Sequence, residues 1–257
     1  MQKGHYSVLR VSLILIIICT TFTMAQEILP EFQPLGFRPH DFIEDERKLN
    51  RRDFLLEYNQ LVADGSGVSP LSNNEKSELD SLLIAYEETV SSVWNVDHDG
   101  CSWYCAGGNY LVTASSSLKS NNYINYDPKS ANDLSYKTAW VEGKKDEGFG
   151  EHIEYTFENN SPRITDIVIS NGYVKSIKAW TENNRIKKLK LYVNGAEFGM
   201  LNLLDTQDDQ IFRLGTFGRN TDGSDLVMKF EIVEVYKGSK YNDTAITEIY
   251  FDGIDVH

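Results

Sequence analysis

Lys188-Leu189-Lys190-Leu191-Tyr192-Val193 alternates apolar with polar side chains and runs straight into Asn194-Gly195. A period of two places Leu189, Leu191 and Val193 on one face of a strand and Lys188 and Lys190 on the other. Asn-Gly between two strand-like runs is the strongest short-range hairpin signal, because both residues accept the positive φ of a two-residue turn. The same alternation recurs in His152-Ile153-Glu154-Tyr155-Thr156-Phe157 and in Leu226-Val227-Met228-Lys229-Phe230-Glu231-Ile232, and a last short strand runs from Ile246 to Phe251. Roughly eight such segments lie between Asn109 and Phe251 with no long helical pattern among them, which predicts a mainly β fold of the antiparallel sandwich or jelly-roll kind.

Upstream of Asn109 the pattern changes. Pro30, Pro34 and Pro39 punctuate the stretch from Gln26 to Pro39, which reads as an extended lead. Phe54, Leu55, Tyr58, Leu61 and Val62 then follow helical spacing until Asp64-Gly65-Ser66-Gly67 ends the run. Ser72 and Glu75 form a capping box ahead of a second stripe of Leu79, Leu82, Leu83, Tyr86 and Val90. Residues 26–100 are therefore expected to be an extended lead and a helical hairpin, a short α-helical appendage packed on a β domain spanning 101–257. Two or three turns are too few to favour a coiled-coil partner site.

Residues 1–25 carry Lys3 and Arg10, an apolar stretch from Val11 to Cys19 and a small-residue site at Thr23-Met24-Ala25, the pattern of a secretory signal peptide. A membrane span needs ~20 apolar residues, and this run is broken at Ser12 and ends at Thr20-Thr21. Lipidation at Cys19 is disfavoured by the bulky Ile18 before it. Cleavage at Ala25 leaves Cys101 and Cys105, an even count that in an exported chain fits a disulfide across a tight turn. The rival is a metal set with Asp97, His98 and Asp99, which lacks the usual second pair of ligands. The expected location is secreted or periplasmic, with no transmembrane segment after cleavage.

The formal net charge is −13, and residues 26–100 hold 16 acids against 6 bases while residues 101–257 hold 22 against 17. So acidic a chain is repelled by phosphate backbones and anionic lipid, which excludes nucleic acid as its main partner. The basic run Arg185, Lys187, Lys188 and Lys190 is mostly the solvated side of a strand. An enzyme is not indicated either. His40, His98 and His152 are far apart in sequence, and there is no Gly-x-Ser-x-Gly, His-Glu-x-x-His or phosphate loop. Carboxylate pairs carry no information in a chain with 38 acids.

From Ala114 to Phe251 the chain resembles the translocation domain of bacterial NAD glycohydrolases, a glycan-binding module of the discoidin-like superfamily that also holds coagulation-factor type C domains. The matching pieces are Ala114-Ser115-Ser116-Ser117-Leu118, Asp133, Thr138-Ala139-Trp140-Val141-Glu142-Gly143, Gly148-Phe149-Gly150-Glu151 and Ile169-Ser170-Asn171-Gly172-Tyr173. Asn183-Asn184-Arg185-Ile186-Lys187 and the long run from Val235 through Tyr241-Asn242-Asp243-Thr244 to Ile249 complete the set. The resemblance implies a discoidin-like jelly-roll β-sandwich that binds carbohydrate or a cell surface through its end loops. It does not cover residues 26–100 or imply glycohydrolase activity, which in those proteins belongs to a separate domain. Modules of this superfamily often hold one structural calcium, and the matching positions here are Asp133, Thr138 and Glu248.

Sugars present hydroxyls at ring edges and weakly apolar C–H faces, so their sites combine aromatic rings with amide, carboxylate or guanidinium groups. Loop segments with that mix nominate Tyr173, Trp180, Asn183, Arg185, Tyr241 and Asp243. Each has a structural alternative, and Arg185 in particular could tie two loops through a carboxylate. Two readings follow. The first is an exported, non-catalytic module that binds a glycan or glycoconjugate. The second is a protein-binding or assembly subunit of the bacterial cell envelope using the same loops.

Overall fold

The computed structural model describes residues 28–86, 92–96, 103–106, 110–121 and 123–255. The expected signal peptide at 1–25, the expected Cys101–Cys105 disulfide and the rival metal group of Asp97, His98 and Asp99 lie outside the described residues.

In chain order the strands are β1 (Glu31–Phe32), β2 (Gly36–Arg38), β3 (Tyr110–Ala114), β4 (Trp140–Val141), β5 (His152–Phe157), β6 (Arg163–Asn171), β7 (Arg185–Val193), β8 (Ala196–Asn202), β9 (Asp209–Phe217), β10 (Leu226–Tyr236) and β11 (Ala245–Ile254). The helices are α1 (Phe42–Ala63), α2 (Asn73–Ala85), α3 (Trp103–Ala106) and α4 (Ile177–Glu182). Among the described residues the strands form a six-stranded sheet in the order β1-β8-β7-β10-β5-β3 and a five-stranded sheet in the order β2-β9-β6-β11-β4. Every pairing is antiparallel except β1 on β8. This is the jelly-roll sandwich that the alternation and the resemblance lead one to expect.

Alternation sets the core directly. Ile153, Tyr155 and Phe157 of β5 and Leu226, Met228, Phe230 and Ile232 of β10 are buried at every second position. They meet Ile167 and Ile169 of β6, Phe212 of β9 and Ile249 and Phe251 of β11 across the sandwich. Edge-to-face contacts of Phe251 with Tyr155 and Phe157, both at 5.0 Å, interlock the two layers, and Tyr155 packs edge-on against its sheet neighbour Phe230 at 5.9 Å. The Asn194-Gly195 turn joins β7 to β8, with φ of 49° and 80° at its two central residues. Asn194 also locks the turn to β10, since its Oδ1 accepts from the Val227 amide at 2.9 Å.

The lead is more than a linker. Its β1 extends the six-stranded sheet beyond β8, and its β2 extends the five-stranded sheet beyond β9, so both sheets end in strands drawn from residues 31–38. Gly199 of β8 makes this possible, because a Cβ there would meet the Phe32 ring at 2.5 Å and the Pro30 carbonyl oxygen at 2.8 Å. The division at residue 100 drawn from the sequence therefore cuts through both sheets. Residues 31–38 contain no alternation long enough to read as strands, and their pairing is dictated by the edges they cover.

A buried carboxylate fastens the lead. Asp209 at the start of β9 is fully buried and accepts hydroxyl protons from Tyr136 at 2.8 Å, Tyr250 at 2.7 Å and Ser170, while His40 Nε2 lies 3.1 Å from its Oδ2. Burial alone would raise the Asp209 pKa, but His40 and the hydroxyl donors outweigh it and hold the carboxyl below its ordinary range. Arg38 donates to the Tyr250 hydroxyl at 2.6 Å, so the far side of the cluster also belongs to the lead.

The helices form the hairpin read from the sequence. Asp41 caps α1 by accepting from the Glu44 amide at 3.2 Å, and both halves of the Ser72–Glu75 capping box are present on α2. Leu55, Leu71 and Leu79 are its buried centre, and Phe42 stacks on Trp94 at 4.7 Å and leans on Tyr136 at 5.1 Å to dock the hairpin on the sandwich. Val90 lies outside the described residues.

Deleting residues 28–41 should uncover the edges of both sheets and leave Asp209 without His40. Removing one partner of a buried pair costs about 3 kcal/mol or more, and for a chain of this size the unfolding midpoint should fall by roughly 6–12 °C. Differential scanning calorimetry of the chain with and without these residues measures it, and an unchanged midpoint would show that the lead is dispensable.

Candidate functional site

At one end of the sandwich a cavity of about 430 Å³ opens between three loops. Its walls are Leu118 and Tyr126 from the loop after β3, Tyr173, Lys175 and Asn183 from the segment between β6 and β7, and Tyr241 and Asp243 from the loop between β10 and β11. That volume falls within the ~300–1,000 Å³ of small-ligand sites, and the mix of phenol rings with amide, ammonium and carboxylate groups suits a polyhydroxylated ligand.

The loops hold their shape through interactions behind the cavity. Gly172 follows β6 with φ +83°, and a Cβ there would meet Arg185 Cγ at 2.5 Å and Trp180 Cδ1 at 2.9 Å. Only glycine leaves room for the Trp180 indole, which donates to the Asn171 carbonyl at 2.9 Å, and for the Arg185 guanidinium stacked 4.6 Å above it. Arg185 is committed throughout. Its Nε and Nη2 form a fork onto Asp205 at 3.0 and 2.8 Å, and its Nη1 donates to the carbonyls of Asn183 at 3.2 Å and Lys237 at 3.1 Å. With 8% exposure Arg185 is an internal tie between three loops. Asn184, which sequence reasoning left out of the nominated set, is equally structural. Its side chain donates to the Asn242 carbonyl at 2.5 Å and accepts from the Gly238 amide at 2.7 Å, which moulds the loop carrying Tyr241 and Asp243.

Four of the six nominated residues, Tyr173, Asn183, Tyr241 and Asp243, share the cavity wall, whereas Trp180 and Arg185 sit behind it. Tyr241 is 41% exposed, and Asn183 uses its Nδ2 to cap α4 at the Ala179 carbonyl, 2.8 Å away. Burial raises the Asp243 pKa, and no cation among the described residues pairs with this carboxylate. Tyr173 is buried and its hydroxyl accepts from Lys175 Nζ at 2.8 Å. Leu118, Tyr126 and Lys175 were not nominated. Tyr126 and Lys175 come from segments without a local motif, Leu118 closes the Ala114–Leu118 piece as a plain apolar residue, and only the packing of loops far apart in sequence brings the three together.

The nominated calcium ligands also converge. Thr138 Oγ1 lies 2.8 Å from both Asp133 carboxylate oxygens, and the Ser135 amide donates to Asp133 at 3.2 Å and to Glu248 Oε1 at 3.0 Å. Glu248 is fully buried, and its Oε2 has no hydrogen-bond partner among the described residues. Burial drives the Glu248 carboxyl well above its ordinary range, and the charge of Asp133 adds to the effect. An orphaned buried oxygen beside an exposed carboxylate and a hydroxyl is a donor set of the hard, all-oxygen kind that suits calcium. No cluster of three or more His, Cys, Asp or Glu side chains occurs among the described residues, so an ion here would draw further ligands from carbonyls or water.

Fold and site together define a discoidin-like β-sandwich with a loop-built cavity at one end. Residues 103–252 match the family described as the NAD glycohydrolase translocation F5/8 type C domain, and the chain belongs to that family. Among solved structures it is similar to a family 32 module of Clostridium perfringens in complex with GalNAc-β-1,3-galactose, at 16% identity and a TM-score of 0.42, covering 58% of this chain and 98% of that one. It is similar also to the family 32 module of C. perfringens NanJ in complex with galactose, at 15% identity and a TM-score of 0.39, covering 55% and 92%. The translocation domain of the Streptococcus pyogenes NAD+-glycohydrolase matches at 24% identity and a TM-score of 0.30, covering 43% and 92%. No curated protein matches the chain.

Arg185→Ala should lower stability by about 2–3 kcal/mol, because it removes a charged fork and leaves two carbonyls unpaired. Arg185→Lys should recover little of it, since one ammonium cannot reproduce the fork. Thermal unfolding of both variants checks this, and a midpoint equal to that of the parent would return Arg185 to the ligand-facing set.

Proposed function

We propose that the chain is an exported, non-catalytic carbohydrate-binding module that engages a glycan or glycoconjugate in the cavity walled by Tyr126, Tyr173, Asn183, Tyr241 and Asp243. The observation that carries this reading is Asp243, a partly buried carboxylate that faces a cavity lined by aromatic rings and pairs with no cation among the described residues. Such a carboxylate gains most from a ligand that brings hydroxyl donors, and a pair of sugar hydroxyls supplies two in a fixed spacing. The family assignment supports a binding or translocation role. Among the described residues no helix is long and apolar enough to cross a membrane.

We also propose that one calcium ion is held by Asp133, Thr138 and Glu248. An ion there would supply the counter-charge that buried Glu248 lacks and would brace the loop from Asp133 to Thr138 against β11.

A glycan array probed with the mature protein should give sugar hits, and Asp243→Ala should weaken them by about ten- to a hundredfold with the unfolding midpoint nearly unchanged. Silence across the array together with capture of an envelope polypeptide through the same loops would favour the protein-binding reading. Separately, calcium should raise the unfolding midpoint and a chelator should reverse it, with Glu248→Gln abolishing the response. An identical midpoint with and without calcium would refute the ion.

A further inference from the structure

Lys175 stands out among the lysines. Among the described residues the other half-buried lysines, Lys48, Lys188, Lys190 and Lys229, each lie against a glutamate. Lys175 is half-buried with no carboxylate of the described residues within ion-pair distance, although the chain as a whole is strongly acidic. It lines the cavity, its ammonium donates to the Tyr173 hydroxyl at 2.8 Å and lies 4.1 Å from that ring, and it is thereby held at a fixed place in the wall. Burial depresses its pKa, which marks the cost of keeping the charge there without a counter-ion.

The neighbouring charges sharpen the pattern. Glu182 is the other carboxylate of the cavity wall besides Asp243, and it is already paired with Lys240 at 3.6 Å. Lys178 adds a second, exposed ammonium on the same wall as Lys175. The cavity thus holds an unpaired acid, Asp243, and an unpaired base, Lys175, that do not neutralise one another. A neutral sugar would satisfy the first and leave the second as it is. A sugar bearing its own carboxylate would satisfy both, its hydroxyls donating to Asp243 and its carboxylate accepting from the two ammonium protons that Tyr173 leaves free.

We infer that the ligand of this cavity is an acidic glycan whose sugar carboxylate is recognised by Lys175. This rests on the carbohydrate-binding reading above and narrows it to a substrate class.

The test is isothermal titration of the mature protein with matched pairs: D-glucuronate against D-glucose and D-galacturonate against D-galactose, with N-acetylneuraminate as a second source of carboxylate and the methyl ester of each uronate as a neutral control. At least one carboxylate ligand should bind about tenfold or more tightly than its neutral partner, which here means its methyl ester or matched hexose, and the advantage should shrink as salt is raised. Lys175→Met should collapse the ratio between the acidic and neutral ligands, and Lys175→Arg should keep most of it. Equal affinity for acidic and neutral sugars, or an acidic preference that survives Lys175→Met in a variant that melts like the parent, overturns the inference while leaving carbohydrate binding standing. Absence of binding in every arm overturns the carbohydrate reading and the inference with it.

Discussion

A carboxylate taken wholly out of water must be met by donors from its surroundings, and at Asp209 those donors come from parts of the chain far apart in sequence. Tyr136 reaches it from the loop before β4, Ser170 from β6, Tyr250 from β11 and His40 from the lead. Desolving such a group without partners would cost several kcal/mol. The site therefore ties the five-stranded sheet, the loop and the lead together, since each supplies a partner to the same buried charge. Tyr136 and His40 pack in turn against Phe42, which stacks on Trp94, so the same cluster carries the helical hairpin.

The lead also solves the problem that any open sandwich has at its sides. Without it, β8 and β9 would present unpaired backbone groups along their outer edges. Residues 31–38 cover one edge of each sheet with two short strands, and the close approach over Gly199 shows that β8 is shaped to receive them. The family match begins at residue 103 and does not include these strands. The lead is thus a structural completion of the domain in this chain, and the helical hairpin docks on it through Phe42.

At the cavity the division of labour is between groups spent on structure and groups left over. Arg185, Trp180, Asn171 and Asn184 use their polar atoms on Asp205 and on backbone groups of the strands and loops around them. Those bonds fix the loops to one another, and among the described residues Asp243 and Lys175 face the cavity without charged partners. Preorganisation of this kind lowers the entropy a ligand must offset on binding.

Period-two alternation in β5, β7 and β10, the Asn194-Gly195 turn and the capping box at Ser72 and Glu75 are local signals, and each appears in the fold where the sequence placed it. They are legible because backbone geometry alone links them to structure. The residue types at the cavity were legible in part: Tyr173, Asn183, Tyr241 and Asp243 stand on its wall, while Trp180 and Arg185, chosen for the same chemistry, are turned inward. Nothing local separates the two groups, because whether a guanidinium meets a ligand or Asp205 depends on where a loop twenty residues away comes to rest. Tyr126 and Lys175, and the pairing of the lead with β8 and β9, were equally hidden. The sequence by itself determined the strand faces, the turn and the helix ends, since these follow from side-chain period and φ preference. Only the tertiary structure decided which polar groups were satisfied internally and which were left facing the cavity, because that is settled by contacts between segments distant along the chain.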